Sequence, residues 1–392
     1  MSFPSQLPAL AAEEHAHSEQ LVNAIRCEIE RQRGWISFER FMEMALYAPG
    51  LGYYSAGARK LGADGDFVTA PEISPLFSRC CARQCAQVLE QLGGGDILEL
   101  GAGSGIMAAD MLLELATLRQ FPNRYLILEV SADLRERQRA TLQTRAPELL
   151  NRVTWLDALP SKLVGIVVAN EVLDALPIQR FAIRGDQVNA IGVTWQLGKV
   201  EESEVRADDT LRNAVREIEI SIGRSLPDGY SSEINLRFSS WLAGVTKALD
   251  KGVVLFVDYG LPRAQFYSIE RTRGTLLCHY RHRFHDDALV NIGVQDIGAW
   301  VDFTAVAESA VASECSVIGY TTQAHFLIGC GIEKLLADLA EQELPSRLQI
   351  GRQAMVLTLP GEMGERFKAI ALGKSFDHPL MGFALRDMAA SL

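Results

Sequence analysis

The stretch Asp96-Ile97-Leu98-Glu99-Leu100-Gly101-Ala102-Gly103-Ser104-Gly105 sets three glycines at alternate positions just behind an acid. Glycine lets a backbone take left-handed turns and come close to a ligand. A dinucleotide fingerprint, G-x-G-x-x-G, would need glycine at 106, where this chain carries Ile106. Glu99, ahead of Gly101, would repel a pyrophosphate but suits a ligand with a cationic amino-acid end. S-adenosylmethionine, with its α-ammonium and sulfonium, is such a ligand. A tight turn that holds nothing is the competing reading. Further acids recur along the chain. Glu129 can accept from both ribose hydroxyls, a role shared by nicotinamide and adenosyl ligands. Asp157 can accept from an adenine amino group or merely cap a surface loop. Asn170-Glu171, Asp174, Asp258 and Glu72 are the remaining polar groups suited to binding or proton transfer.

These groups need elements to place them. Ile97 to Leu100 reads as a strand buried on both faces, and Ile106 to Leu115 as the helix after the glycine turn. Strand, glycine turn and helix open a nucleotide-binding α/β unit, whose helix start aims N–H groups at the ligand. The alternation continues with strands at 125–130, 153–157, 165–170 and 253–260, and a helix at 132–145. Ligands of such sheets bind at the carboxyl ends of the strands. Four of those ends carry polar groups: Glu99 to Gly105, Glu129, Asp157 and Asn170-Glu171. Upstream, 18–33 and 38–47 read as helices, the second capped by Ser37. Gly50 to Ser74 is a long glycine-rich loop of the kind that acts as a functional loop or lid. Pro75 opens a helix that ends at Gly93-Gly94-Gly95. Residues 180–206 read as a β-hairpin turning at Gly185-Asp186, with helices expected near 208–224 and 232–250. After the insertion at 261–297 come a helix near 303–313, a strand near 315–320 and helices to about 342.

The chain has 392 residues, 48% hydrophobic content and a mean hydropathy of +0.06, enough for one large core or two modest ones. No apolar run is long enough to span a bilayer. Met1 to Gln20 has no lysine or arginine and no apolar signal core, so a cytoplasmic protein is expected. A net charge of −11 argues against non-specific nucleic-acid binding. Seven scattered cysteines fit a reduced compartment. Cys80, Cys81 and Cys85 read as core residues rather than metal ligands. His279, His282 and His285 have no common helix face, and Arg281 and Arg283 would repel a cation. They are assigned to a substrate-side insertion, and no metal site is expected.

Taken together, several motifs resemble the MidA family of class I methyltransferases. They are Gly65-Asp66-Phe67-Val68-Thr69-Ala70-Pro71-Glu72-Ile73-Ser74, Glu99 to Gly105, Asn170-Glu171-Val172-Leu173-Asp174-Ala175-Leu176-Pro177, Val257-Asp258-Tyr259-Gly260 and Asp302-Phe303-Thr304. The resemblance covers about residues 20–375. It implies an α/β fold: a Rossmann-like, seven-stranded class I sheet with helices on both faces. The expected organisation is an N-terminal helical region and loop at 1–95, then a core at 96–392 with insertions at about 178–250 and 261–297. The implied cofactor is S-adenosyl-L-methionine, leaving as S-adenosyl-L-homocysteine. Its expected contacts are Thr69, Pro71, Glu99, Gly101, Gly103, Gly105, Glu129, Asp157 and Asn170. The family includes a mitochondrial complex I assembly factor that methylates arginine, so an arginine-bearing protein, such as a respiratory NADH dehydrogenase subunit, is the implied substrate, and a homodimer is considered.

An arginine acceptor stays charged in water. Carboxylates must therefore hold its fork and take the leaving proton. Glu171 is expected to do most of this work, assisted by Asp174 or Asp258, with Glu72 a further candidate. Residues 170–177 could instead only cap a helix, with Asp174 buried. Rival functions are a small-metabolite methyltransferase and a non-catalytic assembly factor, with a nicotinamide oxidoreductase more distant.

Overall fold

The apolar runs become strands of one sheet in a computed structural model that describes residues 7–56, 68–338 and 344–392. In chain order these are β1 (Asp96–Leu100), β2 (Tyr125–Leu128), β3 (Val153–Leu156), β4 (Leu163–Asn170), β5 (Leu249–Leu261), β6 (Ser316–Thr322) and β7 (Phe367–Lys374). Their spatial order is β6-β7-β5-β4-β1-β2-β3. β7 runs antiparallel to β5 and β6, while the pairs β5–β4, β4–β1, β1–β2 and β2–β3 are parallel. The order reverses between β1 and β4, the position where open α/β sheets bind ligands. Every residue of β1 is buried, its apolar Ile97, Leu98 and Leu100 together with the acids Asp96 and Glu99.

Helix α1 (Pro75–Leu92) begins where expected. Ser74 accepts from the Leu76 N–H, Pro75 occupies the first turn, and Gly93 closes the helix in a left-handed conformation. Its buried face, with Leu76, Phe77 and Cys81, joins the core cluster that also holds Ile97, Ile127 and Val168. Glu114 of α2 (Ile106–Thr117) accepts from Arg79 and Arg83 of α1 at 2.6 and 2.8 Å, fixing the two helices together. Cys80, Cys81 and Cys85 lie in this core, where burial pushes the Cys80 thiol up to about 12. Helix α3 (Ala132–Arg145) follows β2 and is capped by Ser131.

The chain divides into two compact units. One comprises Val68–Leu173, Ser239–Leu261 and Phe303–Leu392, and contains the sheet. α1 belongs to it because its apolar face is part of the sheet's core. The other comprises Met1–Phe67, Asp174–Phe238 and Pro262–Asp302. Within that unit the helices Ala12–Arg31 and Phe38–Tyr47 share a core, the second capped by Ser37 as predicted. The segment after Pro177 forms strands Gln179–Arg184, Gln187–Gln196 and Lys199–Arg206.

Residues 232–250 depart from the expected single helix. Ser231–Ile234 is a strand paired antiparallel with Gln179–Ala182, and the helix starts only at Phe238. The three histidines also fall outside any helix. Leu277–Tyr280 and Arg283–His285 form a hairpin, with His282 at its turn. Burial and the neighbouring His285 lower His279 to about 4. Residues 57–67 of the expected lid, including Gly65, Asp66 and Phe67, lie outside the described residues.

Candidate active site

At the carboxyl end of β1 the three glycines have φ of 66°, 52° and 82°, all in the left-handed region that glycine tolerates. Space is equally restrictive. A Cβ on Gly101 would lie 2.7 Å from Cγ2 of Val172, and one on Gly105 would meet the Gln138 backbone at 2.9 Å. Gly105 is the N-cap of α2, so no side chain occupies that helix start, and its N–H groups face the strand ends.

The acids of this edge are used in different ways. Glu99 is 2% exposed and faces the helix layer, where Tyr125 Oη donates to its Oε2 at 2.6 Å. Burial raises its carboxyl to about 7, against which the Tyr125 bond acts. Glu129 follows β2, one residue past its end, and accepts from the Ser131 N–H at 2.9 Å and from Gln138 Nε2 at 3.1 Å. Burial raises its carboxyl as well. Asp157, beyond β3, is 88% exposed and pairs with Arg135 at 2.6 Å.

Around the end of β4 the chain is braced from two sides. Glu171 takes φ +51°, unusual for a residue with a side chain. Its N–H donates to Val257 O of β5 at 3.0 Å. Its Oε1 accepts from the Ala70 N–H at 3.2 Å and from Asn170 Nδ2 at 3.1 Å. Asp258 is 1% exposed. Its Oδ2 accepts from the N–H groups of Val172 and Leu173 at 3.2 and 2.9 Å, and its Oδ1 from that of Tyr259 at 2.8 Å. This carboxylate fixes the backbone that follows Glu171.

The short helix Ala70–Ile73 closes the edge, with Thr69 as its N-cap and Pro71 buried in its first turn. Ser104 Oγ of the glycine turn donates to Glu72, while Ala70 reaches Glu171, so one short segment joins the ends of β1 and β4. Glu72, Glu99, the glycines, Glu129, Asp157, Asn170, Glu171 and Asp258 therefore all belong to the unit that holds the sheet. Asp174 belongs to the other unit, where it is buried and its carbonyl accepts from the Ala299 N–H at 3.0 Å.

One residue of this edge escaped the sequence reading. Gln138 of α3 is fully buried. It donates to Gly103 O and to Glu129 Oε2, both at 3.1 Å, and accepts from Trp155 Nε1 at 2.8 Å. It thereby links the ends of β1, β2 and β3. The available signal was its place one turn before buried Leu142, on the inward face of an otherwise polar helix.

A family model for S-adenosyl-L-methionine-dependent methyltransferases matches residues 80–321, more than half of the chain. The chain belongs to that family. Within it the MidA resemblance holds, and the enzyme is an S-adenosyl-L-methionine-dependent methyltransferase. A COG1565 superfamily member from Burkholderia thailandensis, solved bound to S-adenosyl-homocysteine, is 40% identical. It covers 99% of this chain and 100% of its own, with a TM-score of 0.94. A native structure of a COG1565 superfamily protein from the same organism is 39% identical with a TM-score of 0.91, at the same coverage. Among curated proteins, the Drosophila melanogaster "Protein arginine methyltransferase NDUFAF7 homolog, mitochondrial" is 26% identical over 98% of this chain and 93% of its own. The Danio rerio "Protein arginine methyltransferase NDUFAF7, mitochondrial" is 27% identical over 86% of this chain and 82% of its own.

This methyltransferase has a cradle that fits the adenosyl cofactor. The glycine turn leaves no room for a Cβ at Gly101, and the uncapped start of α2 suits a carboxylate. A carboxylate follows β2, where ribose hydroxyls can donate to it. No helix among the described residues is long and apolar enough to cross a membrane.

Proposed function

We propose that this methyltransferase methylates a terminal nitrogen of arginine in a protein, with Glu171 as the group that holds the guanidinium and accepts its proton. The observation that carries this reading is the placement of Glu171. It sits at the end of β4, beside the glycine turn, in a strained backbone held by Val257 and with its carboxylate steered by Ala70 and Asn170. The Drosophila melanogaster and Danio rerio relatives are named protein arginine methyltransferases, which supports the same acceptor. A subunit of a respiratory NADH dehydrogenase, implied by the MidA resemblance, is the protein proposed to carry it.

Bound S-adenosyl-L-methionine supplies an activated methyl on its sulfonium. The chain's own task is alignment, exclusion of water and removal of one proton. In this reading Gly101, Gly103, Gly105, Glu129, Asp157, Thr69 and Pro71 hold the cofactor, and Glu99 lies beneath its amino-acid end. Asp258 positions Glu171 by fixing residues 172 and 173, and Glu72 ties the 69–73 segment to the turn. Asp174 is the further acid proposed to assist Glu171. A cytoplasmic location and a homodimer complete the proposal, to be read by cell fractionation and by light scattering.

The deciding experiment is Glu171→Gln. General-base work is worth roughly 10²–10⁴-fold, so methyl transfer at saturating cofactor should fall by that order. Calorimetric affinity for S-adenosylhomocysteine should remain within a few-fold. Wild-type transfer by E171Q would sink the assignment.

A further inference from the structure

Asn170 ends β4 with its carboxamide in a fixed orientation. Oε1 of Glu171 can only accept here, since the Ala70 N–H also points to it, so the amide must turn its Nδ2 that way. Oδ1 is thereby directed elsewhere. It is buried, and among the described residues no donor reaches it. An orphaned buried acceptor is rare in a native structure and invites a donor from outside the chain. Its setting is rigid: the Glu171 N–H is held by Val257 O, and the two residues that follow are held by Asp258. The non-glycine left-handed backbone of Glu171 adds strain where the atom is presented.

We propose that Asn170 determines acceptor specificity, its Oδ1 taking a hydrogen of the nitrogen that receives the methyl group. The inference rests on the arginine reading for the identity of that nitrogen, but it extends to any acceptor whose reacting atom carries N–H. Asn170 and Glu171 divide the task. The amide oxygen is neutral, so it orients the nitrogen without competing for the proton. As the nitrogen forms its bond to carbon, the carbon–sulfur bond breaks and its electron pair stays on sulfur. The nitrogen's proton passes to the Glu171 carboxylate. An acceptor without a hydrogen on the reacting atom would leave Oδ1 unpaired and be rejected.

The test uses the full chain, S-adenosyl-L-methionine tritiated on its methyl group, and protein extract from cells lacking this enzyme. Asn170→Ala should transfer about 30-fold more slowly at saturating cofactor, in line with a lost hydrogen bond to a buried group. Its calorimetric affinity for S-adenosylmethionine and S-adenosylhomocysteine should stay within about threefold of wild type. Asn170→Asp provides the second variant. When protonated, its carboxyl can donate to Glu171 and still offer an oxygen, so its rate should climb towards wild type as pH falls, whereas that of N170A should not. Cofactor affinity weakened by about tenfold or more with a wild-type rate at saturation would assign Oδ1 to the cofactor and overturn the proposal. Wild-type transfer by N170A would do the same. Acid hydrolysis of the labelled protein separates the two readings. Label in methylarginine with a slow N170A upholds both, whereas label in methyllysine with a slow N170A upholds Asn170 and removes arginine as the acceptor.

Discussion

Replacing Glu99 by Gln should make the protein more stable in base than in acid, relative to wild type. Glu99 sits in β1 opposite Ile127 and Val168, with Cys81 and Cys85 beneath it, and its described hydrogen bond comes from Tyr125 Oη. Burial in these surroundings raises its carboxyl from 4.5 to about 7. Below pH 4.5 both the folded and the unfolded chain hold the proton. Between 4.5 and about 7 the folded chain keeps a proton that the unfolded chain has released, so stability falls as pH rises. Above about 7 both have lost it and the penalty is constant. At 1.36 kcal/mol per pH unit the penalty comes to about 3 kcal/mol at pH 8 and about 1 kcal/mol at pH 5. Glutamine keeps a carbonyl for Tyr125 and carries no charge at either pH. Urea unfolding at the two pH values should therefore show E99Q gaining about 2 kcal/mol on wild type between pH 5 and pH 8. A gap that does not change with pH would mean that Glu99 ionises normally and that its burial does not dominate its protonation. Repeating the melts with S-adenosylhomocysteine adds a second reading. If the amino-acid end of the cofactor lies above Glu99, the ligand should narrow the gap at pH 8 by stabilising the ionised carboxylate.

Gly101→Val should abolish S-adenosylhomocysteine binding in calorimetry while the protein remains folded, because its Cβ would lie 2.7 Å from Val172 and its φ of +66° is strained for valine. Normal affinity would show that the turn does not line the cofactor. Asp258→Ala removes the acceptor of three backbone N–H groups and should cost about 3 kcal/mol or more in denaturant melts, with a loss of turnover from the displaced Glu171. A variant that is as stable as wild type but inactive would instead place Asp258 in the chemistry. Gln138→Leu keeps the volume but unpairs Glu129, Gly103 and Trp155. It should weaken cofactor affinity by about tenfold, with little effect on the rate once cofactor saturates.

The sheet was legible because parallel strands covered on both faces are mostly apolar, and β2, β4, Ile97-Leu98 of β1 and residues 253–257 of β5 read as such runs, bounded to within a few residues. The strand Ser231–Ile234 was not. Two serines and a glutamate carry no apolar pattern, and its conformation depends on Gln179–Ala182, some fifty residues earlier in the chain, and on Thr275, whose N–H binds Glu233 at 2.8 Å. Gln138 was missed for a related reason: a lone glutamine on a polar helix becomes informative only when Glu129, Gly103 and Trp155 are known to surround it.

The carboxylates show the same limit more sharply. Sequence placed Glu99, Glu129, Asp157, Glu171 and Asp258 at or beyond strand ends, and each is near such an end. What it could not supply is the set of donors that decides what a carboxylate does. Asp258 is surrounded by backbone N–H groups and is held to the chain. Glu129 shares its two oxygens between Ser131 and Gln138. Asp157 is paired with Arg135 and faces water. Glu171 differs from these in backbone rather than in type. Its left-handed turn is maintained by neighbours on β5 and by the 69–73 segment, and both would have to be rearranged for the carboxylate to leave the strand end. Such strain persists only where the surroundings over-determine it. That separates Glu171 from the other acids of this edge more clearly than its spacing does.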